Sequence, residues 1–242
     1  MGHLRVAFLI PIVVFSIASG ALAGPIITVG GDGGWQTWSS PSEDGSRFWD
    51  NLSWDGRGMN IGYYILDPAF GGGNLNYWGT SNPGYDPSFY FHNESGTQYS
   101  VLWGGTTRYQ GIDEFGWFEY APAGAGQPGV IGDRHALFGG TLSGAPGTTA
   151  TFTPTDFYGY YLTSGNGETY TTVENGGQFA LFDGMNGALW IGAEDRPVNG
   201  LSDWDYNDMI VSTIPVPEPS TLLLLGTGLT SLAAAARRRL RR

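Results

Sequence analysis

From residue 24 to residue 215, turn-forming residues interrupt the chain too often for a long helix. Glycine is the main one, with 40 in the chain, and Asn, Asp and Pro join it. No run places apolar residues at i, i+3, i+4 and i+7, the spacing of a helix with one buried face. Between the turn formers lie short runs rich in Tyr, Phe, Trp, Val and Thr, residues that suit a pleated, half-buried surface. The alternation predicts an all-β body, an antiparallel β-sandwich of jelly-roll-like type. Strands are expected at Gly62–Leu66, Ser88–His92, Tyr99–Trp103, Phe115–Tyr120 and Ala136–Phe138. Further ones follow at Thr149–Thr153, Tyr158–Thr163, Thr169–Val173, Gln178–Phe182, Ala188–Ala193 and Asp208–Ile214. Gly71–Pro87 and Ala121–Gly132 read as loops by composition. Residues 24–107, richer in Trp, are expected to add a strand layer or flap to a sandwich over residues 108–215.

Charge narrows the partners. Arg5 and five tail arginines account for six of the eleven basic residues, and Glu218 for one of the twenty-two acidic ones. The body keeps five against twenty-one, about −16, and the chain has no lysine. Such a surface repels phosphate backbones, which excludes nucleic acid, and attracts divalent cations. With no cysteine, the body depends on its own core, and thiolate zinc sites are ruled out. Outside the first residues, the histidines are His92 and His135, each alone in sequence.

Both ends carry addresses. Residues 1–23 combine Arg5, an apolar stretch from Val6 to Ile17 and Ala21-Leu22-Ala23, the pattern of a signal peptide cut before Gly24. That predicts an N-terminal signal helix and passage through the Sec export machinery. Residues 216–242 hold three parts in order: Pro217-Glu218-Pro219, an uncharged run from Thr221 to Ala236, and Arg237, Arg238, Arg239, Arg241 and Arg242. As a helix the uncharged run spans roughly 24 Å, short of a hydrocarbon core of about 30 Å. It is expected to form a weak C-terminal transmembrane helix, with the arginines cytoplasmic and the body outside. The part order resembles the PEP-CTERM sorting signal of bacteria that make extracellular polysaccharide. The resemblance implies an exosortase-type sorting enzyme as partner, transient residence in the inner membrane, and delivery to the cell surface or extracellular matrix.

One stretch of the body is built for chemistry. Glu194-Asp195 precedes Ser202–Val211, in which Asp203, Asp205 and Asn207 are spaced by two and Asp208 follows. In a strand, that spacing points three oxygen-bearing side chains to one face. Clustered carboxylates need a compensating positive charge, and Arg196 is the one cation near in sequence. Hard oxygen ligands without histidine favour calcium. The spacing departs from an EF-hand, because Asp208 stands at the turn glycine and Ile214 at the bidentate Glu. The alternative is a metal-free network in which these side chains cap turns and accept backbone N–H groups. From Asp113-Glu-Phe-Gly-Trp117 through Met209 and Ile210, the chain resembles an uncharacterised domain of exported bacterial proteins. That domain ends in an E-D…S-D-x-D-[YF]-N-D-[LM]-[VI] signature. The resemblance implies a β-sandwich and suggests calcium, and implies no catalytic reaction.

Trp35, Trp38, Trp54, Trp78 and Tyr85 lie in Gly-rich contexts and are candidate glycan contacts, since their rings offer flat apolar faces with a polar edge. No G-x-S-x-G, H-E-x-x-H or phosphate loop occurs, so no catalytic residue is assigned and the chain is read as a non-enzyme. The expected role is structural or adhesive. A carbohydrate-binding module facing exopolysaccharide is the alternative, and a secreted glycoside hydrolase the third reading.

Overall fold

A computed structural model of the chain describes residues 27–37, 61, 76–79, 88–94, 96–104, 113–124, 129–139, 146–183, 188–197, 206–216, 226–233 and 236–237. Thirteen strands are found among them: β1 (Ile27–Gly31), β2 (Gly34–Thr37), β3 (Asn76–Gly79), β4 (Phe89–Asn93), β5 (Gln98–Gly104), β6 (Glu114–Ala121) and β7 (Val130–Phe138), then β8 (Thr149–Phe152), β9 (Phe157–Thr163), β10 (Thr169–Thr171), β11 (Phe179–Asp183), β12 (Leu189–Ala193) and β13 (Met209–Pro215). They form two antiparallel sheets. Sheet A runs β1-β4-β9-β6-β7, with β10 also paired to β9. Sheet B runs β2-β3-β11-β12-β13-β5-β8. Strands from both sides of residue 108 enter both sheets, so the early strands are woven into the sandwich.

Aromatic alternation builds the interior. Phe89 and Phe91 of β4, Phe115 and Trp117 of β6, and Tyr158, Tyr160 and Leu162 of β9 belong to one buried cluster with sheet B residues such as Leu181, Ile191 and Val211. Contacts bridge the two sheets directly. Phe89 meets Phe179 at 6.5 Å, and Trp117 stacks on Phe152 at 5.7 Å. Four hydroxyls are sealed inside as well: Tyr158, Tyr160, Ser100 and Thr213. They neighbour one another, but none is in hydrogen-bond geometry.

Glycine and aromatic content turn out to be linked. Gly30 pairs in register with Tyr90, Gly116 with Tyr161, and Gly159 with Phe118. A Cβ on Gly30 would lie 2.6 Å from the Tyr90 ring, and one on Gly116 2.7 Å from the Tyr161 ring. Each aromatic leans across the neighbouring strand into the space its glycine leaves. A glycine inside a strand weakens it, and a ring lying over the gap restores the lost packing.

Sheet B is apolar on its outer face too. Tyr77, Ala180, Phe182, Trp190 and Ile210 form a second cluster there with Ile61 and Tyr206. This is why β12 is buried at all five positions and shows no alternation.

The structure departs from the sequence reading at several points. β3 lies inside the stretch read as the loop Gly71–Pro87. Its residues NYWG carry little strand signal, and it is held by pairing with β2 and β11. β7 begins at Val130, inside the stretch read as the loop Ala121–Gly132, because it follows β6 in register as far as Ala121↔Val130. β1 and β2 were not among the expected strands. The expected strand Gly62–Leu66 and the signal helix over 1–23 lie outside the described residues. In the tail, residues 226–233 are helical and exposed. Among the described residues, no helix is long and apolar enough to cross a membrane, so the expected C-terminal span is not seen.

Candidate functional site

The acidic stretch is the connection between β12 and β13. These strands are antiparallel, with Ala193 paired to Met209. Glu194 therefore leaves one strand opposite the point where Asp208 enters the other. Each of these carboxylates accepts a backbone N–H from the facing arm. Tyr206 N–H donates to Glu194 Oε1 at 2.6 Å, and Asp195 N–H donates to Asp208 Oδ2 at 2.7 Å. The two bonds form a reciprocal clasp across the base of the loop.

Neighbouring groups fix the clasp. Tyr206 has a left-handed backbone, φ 53°, unusual for a bulky residue. Its hydroxyl donates to Gly177 O at 2.9 Å, in the short 3₁₀ turn Gly176–Gln178. From the same turn, Gln178 Nε2 donates to Arg196 O at 2.6 Å and to Glu194 O at 3.2 Å. Beneath the clasp, Gly192 of β12 lies against Tyr206 and Ile61. Neither Gln178 nor Gly192 was singled out in the sequence, because neither sits in the acidic motif and both act through space.

The electrostatics are unusual for a loop. Glu194, Asp195, Asn207 and Asp208 are all buried, at 0%, 1%, 4% and 8% exposure. Arg196 Nε stands 3.9 Å from Asp195 Oδ1. Asp195 Oδ2 is buried with no hydrogen-bond partner. A buried polar oxygen left without a partner costs free energy. Among the described residues, no three His, Cys, Asp or Glu side chains are arranged to hold a metal ion. Asp203 and Asp205 lie outside the described residues. The oxygens used by Glu194 and Asp208 in the clasp behave as the capping alternative expects, whereas Asp195 Oδ2 is an oxygen donor of the kind calcium takes.

The other expected site residues are scattered. Trp35 on β2 is 39% exposed and meets Trp78 edge-on at 5.3 Å. Trp78 is buried in the main core, so its ring packs the interior. Trp38, Trp54 and Tyr85 lie outside the described residues, as do Pro217, Glu218, Pro219, Arg238, Arg239, Arg241 and Arg242. Arg237 is helical and exposed.

β13 ends at Pro215, and Val216 N–H still donates to Thr97 O at 2.8 Å. No curated protein and no solved structure matches the chain. A family model described as the PEP-CTERM protein-sorting motif matches residues 215–242, starting where the last strand stops. The chain carries a PEP-CTERM sorting signal, which marks it for export, for the cell surface and for processing by an exosortase-type enzyme.

Proposed function

We propose that this protein is a non-catalytic structural or adhesive component of the cell surface or extracellular matrix, and that calcium stabilises its sandwich. The observation that carries the surface location is the junction at residue 215. The last strand and the sorting motif abut there with no intervening domain, so the sandwich is the cargo. In this reading the tail inserts transiently in the inner membrane and is then processed. Truncation after Val216 leaves the last described hydrogen bond of the body in place. In the native host it is expected to move the protein from the envelope fraction to the periplasm or medium. Identical fractionation of the truncated and full-length proteins would refute the address.

Calcium is proposed for the β12–β13 connection. Buried Asp195 Oδ2 is the donor that supports it, with Asp203 and Asp205 as its partners in sequence. The ion would supply the positive charge that Arg196 alone leaves short. Extracellular sites bind at roughly 10⁻⁴ to 10⁻³ M. Calcium at about ten times the dissociation constant should then add about 1.4 kcal/mol to stability. The melting temperature of the full chain is expected to rise with calcium and fall with chelator, and Asp195→Asn should blunt the response. A melting point that ignores calcium up to about ten times the top of that range would leave the clasp as a purely hydrogen-bonded device.

A further inference from the structure

The outer face of sheet A presents a row of half-buried rings that neither the sorting signal nor the acidic clasp uses. His92 stacks on Phe157 at 4.7 Å, Phe157 meets Tyr90 at 6.1 Å, and Tyr90 meets Tyr120 at 5.1 Å. Three neighbouring strands contribute, β4 with His92 and Tyr90, β9 with Phe157, and β6 with Tyr120, so the rings form a patch spread over the sheet. Tyr90 lies over a glycine, and Tyr120 sets its hydroxyl end against another. A Cβ on Gly30 would run into the Tyr90 ring at 2.6 Å, and a Cβ on Gly129 would come 2.7 Å from Tyr120 Cζ. Contiguous half-buried rings of this kind mark a binding surface more often than scattered ones.

Charge identifies the occupant. Glu94 sits at one end of the row, 3.2 Å from His92 Nδ1 and exposed to solvent. Asp32 lies near the other end, close enough that it helps raise the pKa of Tyr120, after partial burial and the neighbouring Tyr90. The body's described arginines are both engaged elsewhere, Arg134 over Tyr161 and Arg196 beside Asp195. Flat rings bracketed by carboxylates are suited to sugar rings that carry protonated amines. The apolar face of the sugar stacks, and the ammonium gains both the aromatic quadrupole and the carboxylate. An acidic polysaccharide would meet repulsion from a body of about −16. We propose that the row His92–Phe157–Tyr90–Tyr120 binds a polysaccharide bearing free amino groups.

The test titrates the full chain, in detergent, with three soluble oligomers of matched length: glucosamine, N-acetylglucosamine and lysine. Calorimetry is expected to show binding of the glucosamine oligomer, with the N-acetylated one at least about tenfold weaker. Tyr120→Ala should lower glucosamine affinity by at least about tenfold in a protein that still folds. Asp32→Asn combined with Glu94→Gln, two exposed substitutions, should erase the preference for the free amine and keeps the test decisive if Tyr120→Ala fails to fold. Absence of binding, equal affinity for the two sugars, or a folded Tyr120→Ala protein that binds like the parent would overturn the proposal. Lysine oligomer binding as tightly as glucosamine would overturn it too, since the face would then read charge alone and suit a basic peptide.

Discussion

Above pH 10 the protein is expected to lose stability steeply, with Tyr160 alone removing about 2 kcal/mol by pH 12. Its phenol is pushed up to about 12, chiefly by burial and against the lowering influence of the Thr213, Tyr158 and Ser100 hydroxyls. Burial raises Tyr158 well above its ordinary value, and neighbouring Tyr160 adds to it. Tyr161 is raised as well, first by burial and then by Glu114, whose carboxylate accepts its hydroxyl at 2.7 Å. The sign follows from proton counting. In the unfolded chain these phenols ionise near pH 10. In the sandwich they keep their protons beyond it, so from pH 10 upward the unfolded state binds fewer protons than the folded state. The stabilisation is complete below pH 10 and is lost as pH climbs through the folded values. Denaturant unfolding at pH 8, 10 and 11, followed by circular dichroism, measures the slope. Tyr160→Phe should flatten it while changing neutral-pH stability little, because the lost hydroxyl is not in hydrogen-bond geometry. Equal unfolding free energies at pH 8 and 11 would show that these phenols titrate as if exposed.

Gly192→Val is expected to cost about 3 kcal/mol. Gly192 sits in β12, paired with Ala180 of β11 and Ile210 of β13, so its backbone is locked on both sides. A Cβ there overlaps the carbonyl oxygen of Tyr206 and the Cδ1 of Ile61, and comes within 3.1 Å of Tyr206 Cβ. One obstacle is backbone, and that backbone is already in a left-handed conformation held by Glu194. The clasp cannot retreat without breaking the Glu194 bond, which would leave a buried carboxylate short of a donor. Thermal melting of Gly192→Val against Gly192→Ala gives the size and trend, with Ala milder. A Gly192→Val protein that melts with the parent would mean that the loop does not rest on β12.

Much of the sandwich could be read in the sequence, and for a local reason. β4, β5, β6, β9, β11, β12 and β13 are aromatic or β-branched runs bounded by turn formers, and each falls within a few residues of its expected position. β3 could not be read this way. Asn76 and Gly79 are poor strand residues, and the strand exists because β2 and β11 lie beside it. In the site, the cluster Glu194, Asp195, Asn207 and Asp208 was visible as composition. What was hidden is the crossing pattern, in which each carboxylate serves the opposite arm. That pattern depends on the register of β12 against β13, and spacing along one chain does not encode it. Gln178 shows the same limit, since its role arises only when the turn before β11 meets the end of β12.

The place of β13 in sheet B bears on the order in which this chain can become a solid body. β13 is interior, with β12 on one side and β5 on the other. Without it the sheet falls into two unjoined pieces, β2-β3-β11-β12 and β5-β8. β5 pairs with a segment more than a hundred residues later, a contact that makes closure late and slow. In a chain threaded through a pore from its N-terminal end, sheet B would therefore stay open until residue 215 had passed. The next residues to arrive are those of the sorting motif. Closure of sheet B and the address would then be acquired at nearly the same moment, so that the processing enzyme meets a finished sandwich.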